Sequence, residues 1–267
     1  MTSGTEYDAV VVGAGPNGLA AAITLARAGR SVLLMEVKET VGGGIRSAEL
    51  TLPGFAHDVC AAVHPLGLTS PFFRSLDLSA HGLQWVHSSA PLAHPLDDGT
   101  AVVMESSVDR TSAALGPDAR DYRALMQPLA SESEKLVDDL LAPLHIPRHP
   151  VSLLRFGRSA IRSIDSFVSG QFKGARARAL FGGLAAHAIL PMGQPTGSAV
   201  GLLLCAVGHS TGWPLARGAP SESRTPCSGT SLRSEEKCAP GLMSTPWSSF
   251  RGHTRCFSVS CPVSWLR

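Results

Sequence analysis

One stretch restricts the folds open to this chain more than any other: Tyr7 to Glu36, YDAVVVGAGPNGLAAAITLARAGRSVLLME. It reads as strand, glycine turn, helix and second strand without a break. Asp8 to Val12 is a short β-branched run of the kind that forms a strand buried on both faces, and it stops at Gly13. Gly13, Gly15 and Gly18 then supply G-x-G-x-x-G. The first glycine permits a tight turn, the second lets backbone approach a pyrophosphate, and the third lets the helix pack close to the strand. Pro16 stands at the helix start, where a missing N–H costs little, with Asn17 beside it. Leu19 to Ala28 is almost entirely small or apolar, as a helix lying on a sheet requires, and Gly29 falls at the C′ position. Ser31 to Met35 returns as a buried strand. Glu36 closes it, 18 residues after Gly18. A carboxylate there accepts hydrogen bonds from both hydroxyls of an adenosine ribose and repels a 2′-phosphate.

A lone G-x-G-x-x-G occurs in many folds, and a merely structural βαβ turn is the competing reading. Strand before, helix after and acid at the right distance favour a dinucleotide site. The motif by itself does not separate FAD from NAD.

Just beyond the acid lies VGGGIRS, Val41 to Ser47. Its glycines leave the backbone free to face a phosphate or a flavin edge, and Arg46 adds a permanent cation. The run from VVVGAGPNGL through VGGGIRSAELTLPGFAHDVCAAVHPLG resembles the N-terminus of the phytoene desaturase-related FAD oxidoreductases, relatives of the flavin amine oxidases. The likeness is strong over residues 6 to 68 and weaker to Arg217, where W-P-x-A-R-G is again similar. The resemblance implies FAD as cofactor, held by Gly13, Gly15, Pro16, Asn17, Gly18, Glu36, Val37, Gly43, Gly44 and Arg46. It implies an α/β chain with an FAD/NAD(P)-binding Rossmann-like fold of glutathione-reductase type and an inserted hairpin and helical substrate region. The activity it implies is passage of a hydride from an organic, small-molecule substrate to flavin by a dehydrogenase, desaturase or oxidase. Lipid-like substrates occur among the family's relatives. An NAD-dependent dehydrogenase is disfavoured by VGGGIRS, and an inactive remnant or non-catalytic interaction protein stays open.

The expected organisation is a first part of the FAD-binding domain at 1–70, a substrate-facing region at 71–217 and an irregular tail at 218–267. Between Leu50 and Gly67, His57, Asp58, Cys60 and His64 lie close together. The resemblance runs this segment past the flavin, so His57 and His64 are the weak catalytic candidates. A His beside an Asp in a loop is more often a hydrogen-bonded packing feature. No second cluster with ligand spacing points to a metal.

Leu92 to Leu96 and Ala101 to Met104 flank Asp97-Asp98-Gly99-Thr100, a hairpin signal. Asp118 is placed to cap the next helix, whose apolar positions run from Tyr122 to Leu140, with a kink expected at Pro128. Further helices are expected over 149–170 and 171–188, where Arg155, Arg158, Arg162, Arg176 and Arg178 read as a solvated face, with contact to an acidic substrate or a partner as the alternative.

The chain of 267 residues is 44% hydrophobic and 16% charged, with a formal charge of +2, which points to a globular protein and away from nucleic acid. Met1 to Glu6 lacks the basic and apolar regions of a secretory signal, so a cytoplasmic location is the default expectation. The apolar stretch from Ala179 to Val207 is interrupted at Pro191, Gln194 and Pro195, so two buried helices are expected rather than a transmembrane segment, and peripheral membrane contact stays open because lipid-like substrates occur among the relatives of the family the chain resembles.

From Ala219 onward the chain is rich in Ser, Thr, Pro and Gly, lacks sustained periodicity and holds Cys227, Cys238, Cys256 and Cys261. Three readings compete: a disulfide or zinc module, a disordered tail and a frameshift. Reading the degenerate codons of Gly218 to Ser231 from their third bases gives G-S-Q-R-I-A-D-A-L-L-R-H-L. That is an amphipathic helix of the sort that follows W-P-x-A-R-G-G in the family, and it favours the frameshift. Family members are longer, and their C-terminal part completes the flavin site.

Overall fold

The computed structural model describes residues 6–217 and, beyond them, the backbone of residues 231–235 and 255–260. In chain order the elements begin with β1 (Ala9–Val12), α1 (Pro16–Arg27), β2 (Val32–Glu36), β3 (Ser47–Glu49) and β4 (Ala56–Asp58). They continue with α2 (Pro65–Thr69), α3 (Pro71–Arg74), β5 (Trp85–Val86), β6 (Leu92–Pro95), β7 (Ala101–Met104), α4 (Val108–Ala113), α5 (Ala119–Ser131) and α6 (Ser133–Leu140). The last are α7 (Pro150–Ala160), α8 (Ile164–Gln171), α9 (Ala175–Ala185), α10 (Ser198–Ser210), β8 (Leu215–Ala216), β9 (Ser231–Glu235) and β10 (Arg255–Ser260). Two compact units divide them: residues 1–62, 77–84 and 216–267, and residues 63–76 and 85–215.

In the first unit the βαβ expectation is met. β1 pairs parallel with β2, Ala9 opposite Val32 and Val12 opposite Met35. The start of the pair is stapled where Ser31 donates its N–H and its hydroxyl to the Asp8 carboxylate at 2.8 and 2.9 Å, and the Asp8 N–H returns to Ser31 Oγ at 3.0 Å. α1 lays Ala22 and Ala26 on Val32 and Leu34, with Ala14 completing a small core. Ala28 caps α1 and Gly29 follows with φ +75°, as the C′ reading requires.

β1 itself departs from expectation. It is not buried on both faces: Val10 and Val12 are 44% and 66% exposed, and among the described residues β1 ends the sheet, whose order is β1-β2-β10-β9. A strand that ends a sheet and carries a helix on one face leaves alternate side chains in water. On the other side of β2 runs β10, antiparallel, with β9 beyond it. The tail has no side-chain periodicity, yet its backbone is extended at these two stretches; pairing with the edge of β2 requires extended chain and not apolar alternation. Trp247 and Trp265, like the rest of the tail, lie outside the described residues.

In the second unit β6 and β7 form the expected antiparallel hairpin, Leu92 opposite Met104. The helix expected from Tyr122 to Leu140 is two helices. Pro128 sits inside α5, which ends at Ser131, and Glu132 separates it from α6. The apolar stretch from Ala179 to Val207 is likewise α9 and α10, packed on one another, with Leu180, Phe181, Leu202 and Cys205 buried in the unit's core. Among the described residues no helix is long and apolar enough to cross a membrane.

Asp118 is the N-cap residue of α5, but its side chain makes no bond there. The fully buried carboxylate instead accepts the N–H groups of Lys173 and Gly174, at 2.7 and 2.6 Å, and Gly174 is the N-cap residue of α9. The sequence signal was correct in kind and wrong in target: the acid satisfies a helix start 55 residues away because α9 folds back onto it.

Candidate functional site

The glycine turn is built from three close approaches. Gly13 follows β1 with φ +95° and donates its N–H to the Met35 carbonyl at 2.7 Å, which carries the β1–β2 ladder into the turn. Gly18, one turn into α1, lies on the Gly13 carbonyl; a Cβ there would occupy the position of that oxygen. Gly43 meets Gly15 backbone to backbone, since a Cβ on Gly43 would stand 2.9 Å from Gly15 Cα. The close approach therefore excludes a Cβ on Gly43, while one on Gly15 would meet Gly43 Cα at 3.8 Å, an ordinary contact.

The loop around Gly43 is tied down at several points. Gly42 N–H donates to the Ala14 carbonyl at 2.7 Å, and Arg46 Nε donates to the Gly43 carbonyl at 2.8 Å. The return segment adds Val59 N–H to the Arg46 carbonyl at 2.8 Å and Ala61 N–H to the Gly44 carbonyl at 3.0 Å. Cys60, between them, sits against Gly44.

Glu36 links turn and strand. Its Oε2 accepts the Ala14 N–H at 2.7 Å and its Oε1 the Lys38 N–H at 3.0 Å. Burial pushes this carboxyl upward, but the N–H groups of Lys38, Ala14 and Val37 and the Arg46 charge outweigh it, so its pKa is below the ordinary value. An ionised Glu36 keeps further lone pairs for ribose hydroxyls. At the start of α1, Gly15 is extended, no side chain caps the helix, and the first turn has no acidic residue. A helix of 12 residues with open first-turn N–H groups favours an anion. These features fit a dinucleotide: acid for the ribose, uncapped helix start for the pyrophosphate, and close-packed glycines where a Cβ would intrude.

Gly13, Gly15, Gly18, Glu36, Gly43 and Arg46 are therefore brought together by direct contacts. Pro16 begins α1, Asn17 is exposed beside it, Val37 is 45% exposed after Glu36, and Gly44 packs on Cys60. His57 lies on β4, its Nε2 hydrogen-bonded to Thr51 Oγ1 at 2.7 Å, while neighbouring Asp58 accepts from Ser47 Oγ at 2.8 Å. Both belong to the β3–β4 hairpin and its loop. His64 belongs to the second unit, at the N-cap of α2, where its N–H donates to the Pro214 carbonyl at 2.9 Å and its ring faces Trp85 at 6.1 Å.

A buried polar cluster in the second unit was not legible in the sequence. Tyr122 Oη is 2.7 Å from His209 Nε2 and 3.1 Å from Cys205 Sγ. Burial pushes the Tyr122 hydroxyl well up and the Cys205 thiol up to about 12, and it lowers His209. All three are neutral at neutral pH, so the cluster is a core polar network and not a charged acid–base pair. Tyr122 and His209 stand on helices 87 residues apart in sequence, beyond the reach of any local pattern.

The fold and this turn define a class. Residues 11–76 match the NAD(P)-binding Rossmann-like domain, a stretch that takes in the βαβ turn and the loop around Gly43. The relatives are redox enzymes by name. The chain is 30% identical over 147 residues to a subunit of the limonene dehydrogenase of Castellaniella defragrans, covering 54% of this chain and 26% of that protein. It is 31% identical over 200 residues to hydroxyneurosporene desaturase of Cereibacter sphaeroides, covering 67% and 38%. It is 39% identical over 98 residues to pyridine nucleotide-disulfide oxidoreductase domain-containing protein 2 of Rattus norvegicus, covering 36% and 16%. Among solved structures, putrescine oxidase bound to putrescine shares the fold with a TM-score of 0.51 and 19% identity, over 80% of this chain and 47% of that one. The chain thus spans less than half the length of these relatives.

Proposed function

We propose that this chain is an FAD-dependent oxidoreductase, a dehydrogenase, desaturase or oxidase, acting on a small organic substrate. The observation that carries the reading is the ionised Glu36 carboxylate, fixed by the Ala14 N–H at the mouth of a turn in which Gly18 and Gly43 leave no room for a Cβ. When bound, FAD supplies the hydride acceptor. The chain's own residues bind and orient. Glu36 holds the ribose hydroxyls, the start of α1 at Gly15 to Gly18 holds the pyrophosphate, and Gly43, Gly44 and Arg46 line the next part of the cofactor. Relatives named for limonene and hydroxyneurosporene support an apolar, lipid-like substrate. The region of residues 71–217 is our assignment for the part that takes it, and the cytoplasm is our assignment for the location. His57 and His64 are the weak candidates for contact with it.

Titration of the purified chain with FAD, NAD and NADP tests the reading. FAD binds tightest and Glu36→Ala weakens it by about 1.5–3 kcal/mol, the worth of a hydrogen bond to a charged group. Preference for NAD, or unchanged FAD affinity in Glu36→Ala, overturns it.

A second reading concerns this chain taken alone: an inactive or weakly binding form. β1 has β2 as its single strand neighbour among the described residues, with Val10 and Val12 in water. An adenosine and pyrophosphate half-site leaves the reactive ring wet and mobile. On this reading the chain purifies mostly colourless, and stoichiometric, tightly held FAD refutes it.

A further inference from the structure

The strongest concentration of exposed apolar side chains in the second unit lies where α6 gives way to α7. Leu144 and Ile146 are 107% and 90% exposed, and Val151 and Leu154 on the first two turns of α7 are 69% and 67% exposed. These four cannot be a slack loop. The Asp139 carboxylate, its side chain only 2% exposed, accepts the N–H groups of Arg148 and His149 at 3.0 and 2.9 Å and meets His145 Nε2 at 3.1 Å, so the segment is pinned at its C-terminal end. Pro143, Pro147 and Pro150 stiffen the segment further.

Charge accompanies the apolar side chains. Between Asp139 and Asp165 the chain has no acidic residue and four arginines, Arg148, Arg155, Arg158 and Arg162. Arg155 and Arg158 share the α7 face of Val151 and Leu154, at helical spacing, while Ser152, Phe156 and Ala160 turn inward. That face borders a groove of about 450 Å³ lined also by Leu125 and Pro128 of α5. The nearby acids are engaged: Glu132 pairs with Arg155 at 2.9 Å and accepts from Ser152 Oγ at 2.8 Å, and Asp139 serves the loop.

We propose that this face is a peripheral membrane-docking surface that seats on an anionic phospholipid bilayer. Leu144 and Ile146 enter the boundary between headgroups and acyl chains, and Arg148 and Arg158 meet lipid phosphates. A pinned tip of fully protruding apolar residues suits a fluid surface, which closes around it, and the arginine rim supplies the preference for negative charge. An acidic protein would match the charge but would need a cavity to take both protruding side chains.

Co-sedimentation of the 267-residue chain with vesicles tests the proposal. The chain pellets with phosphatidylcholine vesicles containing phosphatidylglycerol, and salt weakens the binding. L144S/I146S lowers vesicle affinity about tenfold or more, and R148Q/R158Q lowers it about tenfold. Leu52→Ser, at a leucine that is 64% exposed in the first unit, leaves it unchanged. All these side chains are exposed, so thermal melts matching the parent chain verify the fold. Failure to pellet with the anionic vesicles, equal binding to pure phosphatidylcholine, or equal loss in Leu52→Ser overturns the proposal. Self-association that L144S/I146S abolishes, without vesicle binding, assigns the face to a second copy and overturns it too.

Discussion

The Glu36 carboxylate reaches across the sheet end and accepts the Ala14 N–H at 2.7 Å, so the residue that closes β2 also fixes the turn that leaves β1. One side chain therefore has a structural task and a ligand task, and substitution affects both. Glu36→Ala leaves the N–H groups of Ala14 and Lys38 without this acceptor and costs about 1.5–3 kcal/mol in denaturant unfolding before any ligand is added. The pH dependence follows from the lowered pKa. The contribution is fully present above 4.5, the ordinary value, and is lost as pH falls through the depressed folded value. Glu36→Gln removes that acid-side dependence; an unchanged profile would count against it.

Gly18→Ala inserts a Cβ where the Gly13 carbonyl oxygen already lies. The helix has to lift from the strand, at a cost of about 1–3 kcal/mol or more by overpacking. Gly157→Ala in α7 is the control, since a Cβ there meets nothing within 4 Å. It is neutral or stabilising by up to about 1 kcal/mol. Equal unfolding midpoints for the two variants would refute the close approach.

Asp118→Ala deletes the acceptor of two backbone N–H groups at the start of α9. With the carboxylate fully buried, the loss is about 3 kcal/mol or more. Asp118→Asn keeps an acceptor oxygen and recovers part of it. Hydrogen exchange at Lys173 and Gly174 reads the effect locally, and unaltered protection there would contradict the cap.

Tyr122→Phe removes the hydroxyl facing His209 Nε2 and Cys205 and costs about 1–3 kcal/mol. Burial lowers the His209 pKa, so below 6.5 the unfolded chain takes up a proton that the folded chain refuses. Stability in this unit accordingly falls as pH drops below 6.5. His209→Gln removes that dependence, and a pH profile identical to the parent's would show the histidine to be accessible to protons.

Asp139 carries the acid dependence of the 141–149 segment. Burial would raise its carboxyl, but the N–H groups of Arg148 and His149, with His145, hold it at about 2 against an ordinary 3.8. Its contribution is complete above 3.8 and disappears as pH falls through about 2. Asp139→Asn abolishes the dependence, and proteolysis within 141–149 rises at neutral pH; equal cutting of parent and variant would show that the latch is idle.

The βαβ unit was legible residue by residue because each part of it is local. Strand, turn, helix and acid follow one another within 30 residues, and Gly18 meets the carbonyl of nearby Gly13. The β6–β7 hairpin was legible for the same reason, with Asp98 and Gly99 in its turn. What sequence alone misjudged were matters of neighbours. The apolar run of β1 is compatible with a strand covered on one face or on both, and only the packing of the described residues left Val10 and Val12 in water while Val11 meets the core under α1. Asp118 announced a helix start without saying which one. Tyr122, Cys205 and His209 carried no shared pattern, since their meeting depends on α5 and α10 packing face to face. Local sequence determined which elements form and where the dinucleotide turn lies, because backbone preference and periodicity act over a few residues. Tertiary structure decided which polar groups meet and which apolar faces stay exposed, because those depend on contacts between residues far apart in the chain.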